Sequence, residues 1–389
     1  MIQLKEKSDC CGCLACVQIC PNHCISLNTD EQGFVYPKID TSQCINCNLC
    51  ESVCPVLNQG STRFPLKVYA AKNLDDNIRN DSSSGGVFTS LAIKILNDGG
   101  VVFGARFSNS WSVIHDYTES IDELYLFRGA KYSQSFIGDS YKQVLSFLKQ
   151  GRLVLFTGTP CQICALKKFL RKDYLNLYCV DVVCHGVPSP LVWSQYLKSI
   201  CGTSLNLVKN ISFRNKDFGW SKYSLKIDYL NSSKYNIETN SFQELACTND
   251  FLQGFVKNLY LRPSCTNCPA KAGKSDSDLT IADYWGIADI LPKFVDECGV
   301  SLVLIYTSRG YDLFKSLHLS LVETSYEDAL KSNPSIIDSS KFNKYYKFFW
   351  KKFRNNGVAA IPLTIKKLRP NFFLRFAVRI KHFINKIFI

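Results

Sequence analysis

The chain has 389 residues, with 46 basic against 33 acidic side chains and 19 cysteines. Its length allows two or three domains, each with a core of its own. The polar start Met1–Asp9 has no apolar leader, and so many thiols without one point to a reducing, cytoplasmic compartment rather than a disulfide scaffold. No apolar run approaches the ~18 residues of a membrane-spanning helix. The charge excess is local: from Lys341 onward there are 13 basic residues and no acidic one, so the rest carries 33 of each sign.

One phrase occurs twice in the first 55 residues. Cys10, Cys13, Cys16 and Cys20 precede Pro21; Cys44, Cys47, Cys50 and Cys54 precede Pro55, each cysteine recurring 34 positions later. The run C-x2-C-x2-C-x3-C-P is that of bacterial ferredoxins, in which the fourth cysteine serves the other cluster. One 4Fe–4S cluster is therefore assigned to Cys10, Cys13, Cys16 and Cys54, and a second to Cys20, Cys44, Cys47 and Cys50. Each proline turns the chain out of a helix toward the other half. Paired CxxC also suits zinc, but two full copies with both prolines favour clusters. Residues 1–60 form this module, and Gln59-Gly60-Ser61-Thr62 leads out of it.

From Lys67 apolar runs alternate with amphipathic stretches. Strands are expected at Lys67–Ala71 and Val101–Phe107 around a helix from Gly86 to Asn97, closed by Gly99-Gly100. A helix Tyr141–Lys149 leads to a strand Leu153–Phe156, and a helix Cys161–Leu170 to a strand Leu177–Val183. Ile211–Phe213, Ser224–Leu230 and Lys234–Glu238 read as antiparallel strands, Asn249–Tyr260 as a helix and Ser301–Tyr306 as a buried strand. The class is α+β: a ferredoxin-like module, a mixed α/β domain over residues 66–335, and a basic helical tail over 341–389. In that tail Phe372, Phe373, Phe376, Ile380, Phe383, Ile384 and Ile387 fall near one side of a helical projection, with Arg375, Arg379, Lys381 and Lys386 interspersed. The pattern suits either a peripheral contact with an anionic membrane or packing on the body or a partner protein. Nothing else in the chain supports nucleic-acid binding.

No G-x-G-x-x-G or Walker A phrase occurs. Ser82-Ser83-Ser84-Gly85-Gly86 precedes a helix, where small residues leave backbone N–H groups free for an anion or form an ordinary serine cap. Arg128-Gly129-Ala130-Lys131-Tyr132 sets two cations around a glycine. Thr157-Gly158-Thr159-Pro160-Cys161-Gln162 follows a buried strand, at the end where α/β folds bind ligands. Cys184-His185-Gly186 combines with Cys265, Cys268 and Asp283-Tyr284-Trp285-Gly286. Cys161, Cys184, Cys265 and Cys268 are irregularly spaced, which leaves a third cluster, zinc and no metal all open. Cys164 forms a CxxC with Cys161, as a competing ligand or a redox pair. Cys11, Cys24, Cys164, Cys179, Cys201, Cys247 and Cys298 read as buried small hydrophobes. His185 is a candidate for proton transfer, although a satisfied buried imidazole is the commoner case.

Taken in order, these phrases resemble the beta-subunit family of coenzyme F420 hydrogenases and dehydrogenases, from about Cys10 to Gly286. The resemblance rests on Ser-Ser-Gly-Gly at 83–86, Arg-Gly-Ala-Lys-Tyr at 128–132, Gly-Thr-Pro-Cys-Gln at 158–162, Cys-His-Gly-Val-Pro-Ser-Pro at 184–190, the CxxC at 265 and 268, and Asp-Tyr-Trp-Gly at 283–286. It implies a bound flavin, FAD or FMN, beside a third 4Fe–4S cluster on Cys161, Cys184, Cys265 and Cys268. Ser84, Gly85, Gly86 and Lys131 become flavin contacts, and Lys131 a charge near the flavin N1. The implied activity is that of an oxidoreductase. It passes electrons between a hydride-carrying small molecule, such as coenzyme F420, and clusters linked to a ferredoxin or another redox partner protein. Two positions depart from the family: Ala130 stands where serine is usual and Ala282 where glycine is frequent. Family members also accompany surface-polysaccharide genes, so the family name is not read as the substrate. A non-catalytic electron relay and an iron–sulfur structural component of a glycan pathway are the competing classes.

Overall fold

The computed structural model describes residues 2–203, 205–232 and 237–368. The sequence repeat is also a structural one. Helices Ala15–Ile19 and Leu49–Ser52 each start after a left-handed residue, Leu14 at φ 60° and Asn48 at φ 58°. Each carries the third cysteine of its run in the first turn. Between them β1 (Ile25–Thr29) and β2 (Val35–Ile39) pair antiparallel, with Ile25 opposite Ile39.

The body is built on β3 (Lys67–Asn73), β4 (Val101–Phe107), β5 (Val113–Thr118), β6 (Val154–Gly158), β7 (Leu177–Val182), β11 (Leu279–Asp283), β12 (Ser301–Ile305) and β13 (Leu319–Thr324), once the intervening β8 (Val208–Asn215), β9 (Ser224–Ser232) and β10 (Ile237–Leu245) are set apart. The eight strands lie in the order β13-β3-β12-β11-β7-β6-β4-β5, and β8–β10 form a separate antiparallel sheet. The inner strands β4, β6, β7 and β11 run parallel; those flanking them are antiparallel. Helix Pro160–Leu170 carries the chain from β6 to β7. Parallel strands covered on both faces need apolar side chains on both. Val154 and Phe156 accordingly join one core layer and Leu155 the other.

The first layer also contains Cys11, Leu14, Ala15 and Val53, so the cysteine-rich module shares a core with Phe103, Tyr141, Ile163 and Phe169 of the body. Gln18 Oε1 accepts from the Tyr141 and Lys142 amides at 3.1 and 3.2 Å, answering two of the open N–H groups of helix Ser140–Lys149. A further core of Trp193, Phe213, Phe251, Tyr260 and Phe349 lies under β8–β10.

The expected elements differ from the fold in a few places. Helix Asp250–Val256 is shorter than Asn249–Tyr260, because Asn258 turns the chain at φ 59°. The third antiparallel strand is Ile237–Leu245 rather than Lys234–Glu238. Strands β1, β2, β5, β11 and β13 add to the expected set. Helices Tyr346–Asn356 and Ala360–Leu368 bury Tyr346, Phe349, Trp350, Phe353, Ile361 and Ile365 in the third core. The start of the basic segment is thus packed on the body. The amphipathic projection over Asn371–Ile389 lies outside the described residues. Among the described residues no helix is long and apolar enough to cross a membrane.

Gly85 is fixed by the main sheet: its N–H donates to Ser301 Oγ at 2.9 Å and its carbonyl accepts from the Asn73 N–H at 2.7 Å. A Cβ there would run into the Ala71 carbonyl and the Ser301 amide, both backbone. Gly85→Ala is expected to cost about 1–3 kcal/mol of stability through overpacking, read as a lowered unfolding midpoint in urea.

Candidate functional site

The carboxyl ends of β6, β7 and β11 leave the sheet on one edge. There Thr157 and Gly158, Val182 to Cys184, and Ile281 to Asp283 line a cleft of about 510 Å³. This is where parallel sheets present ligand sites, since chain departing to helices on both faces opens a crevice. The serine–glycine phrase and the Arg-Gly-Ala-Lys-Tyr loop close it from the other side, joined by the Ala130 N–H donating to Ser83 Oγ at 2.6 Å.

The expected flavin contacts are unequally placed. Ser84, Gly86 and Lys131 line the cleft, whereas Gly85 lies outside the lining, held under the strands as described. The Ser84 hydroxyl donates to the Val300 carbonyl at 2.8 Å. Gly86 sits at φ 85° before helix Val87–Asn97, whose first turn has no side-chain cap. The Lys131 ammonium donates to the Phe127, Arg128 and Gly129 carbonyls at 3.3, 2.8 and 3.0 Å, so its donors close its own loop. Burial pushes its pKa down to about 7.

Among the other polar groups here Arg214, Trp220 and Ser133 carried no sequence signal, whereas Arg128 belongs to the phrase at 128–132. Arg214 is buried, donates to Asp283 Oδ1 at 2.9 Å and stacks 3.8 Å from the Tyr223 ring centre. Trp220 Nε1 donates to the same carboxylate oxygen at 2.7 Å. Arg214 Nε, Arg128 Nε and Ser133 Oγ are buried without a hydrogen-bond partner. Orphaned polar atoms are rare in a folded interior, and these three belong to residues lining one cleft. They suit a ligand rich in acceptors, such as the phosphate and ribityl oxygens of a flavin nucleotide.

His185 lines the same cleft, 2.6 Å from Asn258 Oδ1 through Nε2. An amide oxygen only accepts, so Nε2 carries the proton and Nδ1 is left as the acceptor. Desolvation lowers its pKa.

The cysteines gather in three groups. Cys16 stands close enough to Cys10, Cys54 and Cys50 to feel their charge, and burial with these neighbours pushes its thiol up to about 12. Cys54 feels Cys10 and Cys50, and Cys13 feels Cys10 and Cys16. Cys20 instead lines one small cavity with Cys44, Cys47 and Cys50. Cys20 thus lies by the second run, while Cys54 lies within reach of Cys10 and Cys16 of the first run and of Cys50 of its own. In the third group, Cys265 feels Cys184, Cys161 and Cys268. Burial first, then Lys271, Cys161 and Cys268, act on Cys184, whose thiol is pushed up to about 12. Buried thiols raised this far resist ionising alone, and iron is what makes the thiolate favourable. Among the described residues no three ligating groups are placed to hold a single metal ion, and all-thiol sets are the donor chemistry of cubane clusters. Cys161 reaches its place through local chemistry: Pro160 opens the helix and Gln162 Oε1 accepts from the Thr159 N–H at 2.9 Å.

Cys164, one turn further, is buried and faces a basic cleft with Arg63, Lys168 and Arg171. Two cysteines expected to be simple hydrophobes lie against ligand candidates. Cys24 Sγ is 3.4 Å from Cys20 Sγ, and Cys11 is within hydrogen-bond reach of both Cys13 and Cys161.

Two parts of the chain match known family models. The family model for the carboxy-terminal part of the coenzyme F420 hydrogenase/dehydrogenase beta subunit matches residues 151–329. A 4Fe–4S dicluster domain matches residues 9–58. An uncharacterized ferredoxin of Methanocaldococcus jannaschii is 31% identical over 74 residues, which are 19% of this chain and 88% of that one. A ferredoxin 7Fe of Hydrogenibacillus schlegelii is 43% identical over 64 residues, 16% of this chain and 76% of that one. A chain of the xenon-derivatised F420-reducing NiFe hydrogenase complex of Methanosarcina barkeri superposes at TM-score 0.44 and 16% identity, covering 79% of this chain and 93% of that one.

His115, which also lines the cleft, is a pH-dependent element of it. Its Nε2–H donates to the Thr157 carbonyl at 2.8 Å and its Nδ1 accepts from Ser135 Oγ at 3.1 Å. Burial pushes its pKa down to about 4. Histidine in the unfolded chain titrates near 6.5, so between these values the unfolded state binds more protons. The stability this neutral ring contributes is complete above pH ~6.5 and is lost as pH falls toward 4. We expect His115→Gln to remove about 3 kcal/mol of the acid-side loss over that window, measured as the pH dependence of urea unfolding for the two proteins side by side.

Proposed function

We propose that this chain, which carries a 4Fe–4S dicluster domain over residues 9–58 and matches the coenzyme F420 hydrogenase/dehydrogenase beta-subunit family over residues 151–329, is an iron–sulfur flavoprotein oxidoreductase. It moves electrons between a hydride-carrying small molecule and a ferredoxin or other redox partner protein. One observation carries the proposal: Cys184 lines the central cleft while its thiol stands among Cys161 and Cys268. A ligand in the cleft is thus next to the third sulfur group. That group in turn adjoins the first through Cys11, which lies between Cys161 and Cys13. The second group ends the series at the surface, where Cys47 is exposed.

A flavin, FAD or FMN, supplies when bound the change between two-electron hydride chemistry and one-electron clusters. Arg128, Arg214 and Ser133 would hold its polar atoms, and the uncapped first turn of helix Val87–Asn97 would take an anionic group. Trp285 and Phe255 wall the cleft and exclude water. His185 holds an open Nδ1 toward proton exchange, with Asn258 fixing the tautomer. Cys161, Cys184, Cys265 and Cys268 would ligate the third cluster. A deazaflavin as the hydride carrier and a place in surface-polysaccharide synthesis are carried by the sequence resemblance.

Iron, acid-labile sulfide and flavin per chain, on protein purified without oxygen, test the proposal. About twelve irons and one flavin are expected. Cys184→Ser should lose about four irons. Ser133→Ala and Arg128→Met should each weaken flavin binding about tenfold without loss of iron. Eight irons and no flavin would sink the proposal; twelve irons without flavin would turn it into an electron relay.

A further inference from the structure

Arg262 is fully buried, with no exposed surface. Its Nε donates to the Cys10 carbonyl at 2.7 Å, Nη1 to Gln134 Oε1 at 3.0 Å, and Nη2 to the Val35 carbonyl at 3.0 Å. Nη2 also points at Cys10 Sγ, 3.5 Å away. The guanidinium lies 4.3 Å from the Tyr36 ring centre and 5.4 Å from that of Phe34. Gly12 is without a side chain where this happens, since a Cβ there would lie 2.7 Å from Nη1. Among the described residues no carboxylate forms an ion pair with Arg262. The groups that face its charge are thiols, Cys10, Cys11 and Cys265, and Cys161 feels it in turn. A buried cation without a counter-anion is strongly unfavourable. The anion this pocket is built around is the thiolate-ligated cluster itself.

We infer that Arg262 is a positioning residue for electron transfer: the buried counter-cation of the cluster on Cys10, Cys13, Cys16 and Cys54, which raises that cluster's reduction potential. The inference rests on the ligand sets proposed above. Reduction adds one negative charge to a cluster, and a fixed cation with an N–H aimed at a ligand sulfur favours the reduced form. The same side chain ties that cluster to the body, because Arg262 lies three residues before Cys265 and its N–H donates to the Val187 carbonyl at 2.9 Å. The cluster on Cys20, Cys44, Cys47 and Cys50 has no such partner among the described residues. Arg262 therefore acts on one of the two N-terminal clusters and leaves the other alone.

The test is a potentiometric titration of the full-length, iron-loaded protein, followed by electron paramagnetic resonance, for wild type, Arg262→Met and Arg262→Lys. Arg262→Met should lower the reduced-to-oxidised ratio of one N-terminal cluster about tenfold at a given potential, a shift of about 59 mV for one electron, with the second signal unmoved. Arg262→Lys keeps the charge but cannot reach both Cys10 Sγ and the Val35 carbonyl, so its ratio should fall less, about threefold. If Arg262→Met does not retain its iron, the lysine variant decides, and an unchanged ratio in it overturns the inference. Unmoved potentials in an iron-replete Arg262→Met, or equal movement of both signals, overturn it as well. Fewer than about eight irons in the wild-type module would instead overturn the ligand sets on which it rests.

Discussion

Thiols gathered in a protein interior oppose their own ionisation, because each thiolate is desolvated and repelled by its neighbours. Here twelve of them are collected from residues 10–54, 161–184 and 265–268, and burial raises Cys16 and Cys184 alike to about 12. Iron reverses the sign of that balance in the dicluster module, and the proposed third cluster would do the same for the other four, so that fold and clusters become parts of one equilibrium. The sheet makes the collection feasible. Its parallel order places the start of helix Pro160–Leu170 beside the end of β7, and Arg262 brings the stretch before Cys265 against Cys10.

The cysteine runs were legible because their chemistry demands fixed short spacings. The short spacings and the two prolines are those of a dicluster ferredoxin run, and the proposed crossing of the fourth ligands comes with that run. Several strands of the main sheet were legible for a related reason: Val101–Phe103 and Leu302–Ile305 are apolar on both faces, as a covered sheet requires. The hairpin β1–β2 was not, since Ser26, Asn28 and Thr29 are exposed and only Ile25 of β1 is buried, so no alternation marks it. Strand β13 is nowhere fully buried and escaped for the same reason.

The cleft was legible only in outline. The phrases Thr-Gly-Thr-Pro-Cys-Gln and Cys-His-Gly mark strand ends, and strand ends are where it opens. Arg214 and His115 could not be found this way. A lone arginine at the end of an antiparallel strand looks like a solvated cation until Asp283, 69 residues away, is folded against it. A histidine in an alternating strand looks like any other until Thr157 and Ser135 close on both its nitrogens. Gly85 shows the opposite case, where a glycine in a ligand-binding phrase serves the packing of β3 against β12. The seven spare cysteines were judged on composition: Cys11, Cys24, Cys164 and Cys179 are buried as expected, whereas Cys247 is exposed and Cys201 and Cys298 are only half-buried, and the nearness of Cys11 and Cys24 to ligand candidates is a property of the fold alone.

Tyr346 OH donates to Gln32 Oε1 at 2.6 Å, and Tyr346 belongs to the core that helices Tyr346–Asn356 and Ala360–Leu368 complete. The first module is therefore enclosed by some of the last residues described. On the ribosome, chains emerge from the N-terminus at about 5–20 residues per second. Eight cysteines are thus in solution some 300 residues before the surface that covers them is finished. The cell must load or shield these sites during that interval. Assembly of the clusters is a matter of timing during synthesis as much as of affinity.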